Sequence, residues 1–152
     1  MAELLVSIED VTMVPRLRRV IRSLHGVNRV TTPRQKVVRS AIYQKQVNRL
    51  TELAALPQDW DDDGAPPIDR QVVDNTRQLL KALSDSALSS WVLFPDVNGT
   101  LLIKYKAKSA SISIGTSEYS YAYTKNGESR RASHRPFSVA AIAHIINEIN
   151  AA

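Results

Sequence analysis

The 152-residue chain contains no cysteine. That excludes disulfides, thiolate metal sites and cysteine nucleophiles. Glycine is scarce, at five residues, and no glycine-rich phosphate loop, Gly-x-Ser-x-Gly elbow or His-Glu-x-x-His motif occurs. The three histidines, His25, His134 and His144, are scattered among separate elements. No hydrophobic run approaches the ~18 residues of a membrane span. The N-terminus, Met1 to Asp10, lacks the basic stretch and apolar core of a signal peptide. These absences lead us to expect a cytoplasmic protein that is not an enzyme, binds no cofactor or metal, and makes no membrane contact.

Hydrophobic residues make up 43% and charged residues 23% of the chain, which is globular rather than disordered composition. The net charge of +5 is unevenly spread. Residues 1–50 carry a net +7, residues 51–74 a net −6, and the remainder a net +4. A basic first third points to an acidic partner or a polyanion, or to a solvated cationic face.

Periodicity divides the chain into an α+β protein. Residues 3–8 have strand composition. Val14, Leu17, Ile21 and Leu24 recur at helical spacing, and Gly26 is a suitable helix C-cap. With Val27 to Val30 returning as a strand, residues 1–32 read as a β-α-β element. Thr32, Pro33 and Gln35 form a helix start, so residues 33–56 read as a long linking helix. Residues 57–152 read as an α+β domain. It opens with a turn-rich connector, followed by a helix from Asp69, a loop over 84–90 and an antiparallel β-meander packed with helices. Its strands are expected at 91–94, 100–106, 109–114 and 118–124, with a short one near 128–132. Asn98-Gly99 and Asn126-Gly127 mark tight hairpins. Ser138 caps a last helix bearing Ile142, Ile145, Ile146 and Ile149. Tyr119, Tyr121 and Tyr123 share one strand face, either half-buried or a recognition surface.

The sharpest local feature is Asp59-Trp60-Asp61-Asp62-Asp63-Gly64. It opens like a calcium loop, Asp-x-Asp-x-Asp-Gly. The twelfth position, which requires a bidentate Glu, is Arg70, so the match fails. The structural alternative has Trp60 anchoring the connector on the core and Gly64 making the turn. Asp59, Trp60, Asp61, Asp62 and Asp63 are therefore the candidate partner-binding residues. The second candidate set is cationic: Arg16, Arg18, Arg19, Arg22, Arg34, Arg39 and Arg49. Seven guanidinium groups on two helices suit salt-dependent, weakly selective contact with nucleic acid phosphates.

Two stretches carry a resemblance. Residues 4–30, with an apolar strand ending in Glu9-Asp10, a helical stripe and Gly26-Val27, resemble the opening module of small antitoxin-like proteins common in Bacteroidales. Residues 57–105, with Leu56-Pro57, Trp60, Gly64-Ala65, Pro67 and the run Pro95 to Gly99, resemble a domain of small uncharacterised bacterial proteins. The first resemblance implies a homodimer of a bacterial toxin–antitoxin module, with a toxin as its protein partner. The expected function is thus non-enzymatic binding or regulation of antitoxin type, with weak nucleic acid binding as the alternative.

Overall fold

In the computed structural model the described residues are 39–152. The β-α-β element expected over 1–32 and residues 33–38 of the linking helix lie outside them.

Alternation of apolar and polar residues sets the sheet. Leu101 and Ile103, Ala110, Ile112 and Ile114, and Tyr119 and Tyr123 all point to one buried face. The strands are β1 (Trp91–Pro95), β2 (Leu101–Tyr105), β3 (Ala110–Ile114), β4 (Glu118–Lys125) and β5 (Glu128–Pro136). They pair antiparallel in the order β1-β2-β3-β4-β5. The meander expected from the sequence is therefore present. β5 extends past the expected 132 to Pro136, through a bulge in which Ser133 and His134 stand opposite Ser120.

Four helices flank the strands in sequence among the described residues: α1 (Ala41–Ala54), α2 (Arg70–Ala82), α3 (Asp85–Ser90) and α4 (Val139–Ala151). Each is capped by the side chain of the residue before it. Ser40, Asp69, Ser84 and Ser138 accept backbone N–H bonds from Tyr43, Gln71, Ala87 and Ala141. The helix expected to start at Pro33 thus begins, within the described residues, at Ala41. Ser40 is extended and offers the acceptor that Ala41's turn needs. The loop expected over 84–90 is instead the short helix α3. Its Ala87 and Leu88 are buried, and the Ser84 cap offsets its poor helical composition.

Helix α2 lies at the centre of the helical layer. Val72, Val73, Thr76, Leu79 and Leu80 are buried on its inner side, and it meets α1, α4, β2 and β3. Leu50 and Leu53 of α1 and the isoleucines of α4 complete one core over the sheet. Asn75, also buried, is spent on structure. Its amide nitrogen donates to Gly115 O at 3.0 Å and Thr116 O at 2.9 Å, and its oxygen accepts from Gln71. It thereby pins α2 to the β3–β4 turn. Two stacked or tilted tyrosine pairs run along β4, with Tyr119 and Tyr123 buried and Tyr121 half-buried. That is the half-buried strand face rather than a recognition surface.

Truncating Asn75 to alanine removes three side-chain hydrogen bonds near a turn that water reaches. Urea unfolding should show a loss of about 1–2 kcal/mol. Leu79→Ala, in the dry core, should lose about 2–5 kcal/mol. Equal losses at the two positions would contradict this division of labour.

Candidate functional site

The connector between α1 and α2 is a closed loop. Asp59 and Asp62 take left-handed backbone conformations, φ 63° and 60°, which aspartate tolerates better than most residues. The Asp59 carboxylate accepts the Gly64 N–H at 2.6 Å. The Asp61 carboxylate accepts the N–H groups of Asp63 at 3.0 Å and Ala65 at 2.9 Å. Asp59 N–H donates to Ala65 O, and Gln58 donates to Gly64 O. The alternate aspartates are thus turn-forming groups, folded inward on their own backbone.

Trp60 does not anchor the connector on the core, as the sequence led us to expect. Its ring is half-buried and its Nε1 donates to Pro66 O at 3.0 Å, bracing the loop across itself. The anchors are Ala65 and Ile68, both buried. They are short-range neighbours of the two prolines and carried no periodicity to reveal them. A second brace comes from the β1–β2 hairpin. Gly99 has φ 76°, and a Cβ there would lie 3.1 Å from Pro67 O. Its carbonyl accepts the Asp69 N–H at 3.0 Å.

What remains free on the loop is charge. Asp62 and Asp63 are exposed, and no ion pair holds either carboxylate among the described residues. The five candidate residues Asp59 to Asp63 therefore lie together, but with unequal roles. Two aspartates build the loop, two face solvent, and Trp60 stiffens it. Among the described residues no three histidine, aspartate or glutamate side chains converge as metal ligands.

The cationic set is divided. Arg16, Arg18, Arg19, Arg22 and Arg34 lie outside the described residues. Arg39 sits 4.8 Å from the Tyr43 ring centroid. Arg49 donates to Leu93 O and pairs with Glu52 at 3.2 Å.

Two features were invisible in the sequence. A groove of about 710 Å³ runs between α1 and β1, with Ile42, Trp91 and Val92 among its apolar lining and Lys45, Arg49 and Lys106 as its cations. Its walls are some forty or more residues apart in the chain, so no local pattern marks it. The second is the sheet face that no element among the described residues covers, where half-buried Val92 and Leu102 adjoin exposed Phe94 and Lys104. Lys104 Nζ lies 5.7 Å from the Phe94 ring centroid. With this geometry in hand, comparison with protein families, curated proteins and solved structures returns no match.

The hydrogen bond from Ala65 N–H, followed by that from Asp63 N–H, holds the Asp61 carboxyl below its ordinary range. A depressed folded-state pKa means the carboxylate's stabilisation is present above the ordinary aspartate value and is lost as pH falls through the depressed one. In an acid titration followed by NMR, the Asp63 and Ala65 amide resonances should move together. Their midpoint should lie below the ~3.9 of a free aspartate. A midpoint at or above that value would show that these bonds do not form in solution.

Proposed function

We propose that this chain is a non-enzymatic binding protein that offers a preformed acidic loop to a basic protein partner, as the antitoxin of a bacterial toxin–antitoxin module. One observation carries the reading. The loop 59–65 is locked by its own hydrogen bonds, yet leaves Asp62 and Asp63 exposed and, among the described residues, free of ion pairs. A rigid charged loop loses little conformational entropy on binding, so its charges act at full strength. Clustered carboxylates also speed encounter with a cationic surface. In this reading residues 1–32 form the homodimerising element, and the protein works in the cytoplasm. The arginines of residues 16–34 are either a solvated face of that element or an auxiliary contact to nucleic acid.

The test is co-expression with the product of the neighbouring gene. A basic toxin that co-purifies with the full chain supports the reading. Reversing the two free charges, Asp62→Lys with Asp63→Lys, should weaken the complex roughly tenfold or more, an effect that raised salt diminishes. Neither side chain bonds within the loop, but Asp62 is left-handed (φ 60°), so Asp62→Asn with Asp63→Asn, which suits that backbone, separates loss of charge from loop strain. Retention of full affinity in the double variant would remove the acidic loop from the interface. A steep loss of nucleic acid affinity with rising salt, without any protein partner, would favour the nucleic acid alternative instead.

A further inference from the structure

The two edges of the sheet are treated differently. Lys106 N–H donates to Ser90 O, so β1 turns the backbone groups of residues 90, 92 and 94 towards β2. Trp91, Leu93 and Pro95 face outward. The outward carbonyls of that edge are covered by α1. Gln46 Nε2 donates to Trp91 O at 3.0 Å, Arg49 Nε donates to Leu93 O at 3.4 Å, and Pro95 has no N–H to offer.

The β5 edge has no such cover among the described residues. Asn126 and Gly127 (φ 53° and 79°) make a two-residue hairpin turn, with Lys125 opposite Glu128. In such a hairpin the flanking pair is hydrogen-bonded. Alternation then makes Tyr123–Arg130 and Tyr121–Ala132 the next bonded pairs. Ser129 and Arg131 must therefore direct both N–H and C=O away from β4. No other described group bonds them. Of β5's nine residues only Ala132 is even partly covered.

The side chains along this edge are cationic on both faces of the sheet. Arg131 shares the face of Phe94 and Lys104, since it stands opposite Ala122. Arg130 and Arg135, opposite Tyr123 and Tyr119, lie on the other. Arg130 is already paired with Glu148 at 3.2 Å, and His134 with Glu118 at 2.7 Å. Arg131 and Arg135 have no acidic partner among the described residues. An antiparallel second copy centred on Arg131 would set arginine against arginine, which is unfavourable.

We infer that the free edge of β5 is a docking site for an extended acidic peptide segment, which adds to the sheet as a sixth strand beside Ser129 and Arg131. The backbone groups supply pairing, and Arg131 and Arg135, on opposite faces of the sheet, select for carboxylates on both faces of the added strand. The site is separate from the acidic loop, and the inference does not rest on it.

The probe is a fluorescently labelled peptide in which pairs of glutamates alternate with pairs of valines, which puts carboxylates on both faces of the strand, titrated with the full chain and followed by anisotropy. A matched peptide with glutamine for glutamate is the control. The glutamate peptide should bind and the glutamine peptide should bind at least several-fold more weakly. Ser129→Pro deletes one outward N–H while leaving the β4 pairing and every arginine in place, because proline is tolerated where an edge N–H faces solvent. It should weaken binding roughly fivefold, the equivalent of one neutral hydrogen bond. Arg131→Glu with Arg135→Glu should weaken it roughly tenfold or more at low salt. Circular dichroism confirms that each variant keeps its fold, and the charge-reversed pair decides the matter if the proline variant does not.

Three results would overturn the inference. The first is equal binding of both peptides. The second is single-stranded RNA displacing the peptide while Ser129→Pro has no effect, which would mark a phosphate-binding face. The third is a dimer in sizing experiments that Ser129→Pro dissociates, which would make a second copy the natural occupant.

Discussion

Burial of one side of α2 against the sheet is the interaction from which the rest follows. Val72, Thr76 and Leu79 are fully enclosed, and the helix touches both of its long helical neighbours as well as β2 and β3. A five-stranded sheet with one apolar face cannot remain uncovered in water. α2 supplies the middle of the cover, and α1 and α4 extend it on either side. Because Asn75 is tied to the β3–β4 turn, the helix is fixed along its axis as well as pressed onto the strands. The connector's geometry is inherited from this arrangement, since its last residue, Asp69, is also the cap of α2.

Much of this was legible from periodicity. The stripes of α2 and α4 and the alternation of β2, β3 and β4 each reflect one buried side, and a single buried side is what a residue pattern can encode. Where burial is not one-sided, the pattern failed. β5 is exposed nearly throughout, so its charged residues hid four more strand positions. α3 is about one and a half turns of helix, half of it serine, held by its two buried residues and its cap. The long linking helix was read through Arg39 and Ser40 because a polar helix and a polar approach to a helix look alike.

The site was half legible. Asp59 to Asp63 was recognisable as a structured acidic turn, and the failure of the calcium pattern at Arg70 was evident. The roles within it were not. Whether an aspartate folds inward to hold an amide or outward to meet water depends on left-handed backbone at Asp59 and Asp62, which composition does not report. Long-range features left no trace at all. The sealing of β1 by Gln46 and Arg49 joins residues more than forty positions apart. The contrast between a closed edge and an open one appears only when the chain is folded.

The bond from Asp69 N–H to Gly99 O has a consequence in time. During synthesis the connector leaves the ribosome well before the hairpin that braces it. At ~5–20 residues per second the wait is a few seconds. Throughout that interval the carboxylates of Asp59 and Asp61 have only their own loop to hold, and α2 has no sheet to lie on. The acidic turn can be braced on the rest of the domain only after that, when Gly99 closes under Pro67. The glycine acts as a latch: its carbonyl holds the Asp69 N–H, and the absence of a side chain lets it close that near to Pro67.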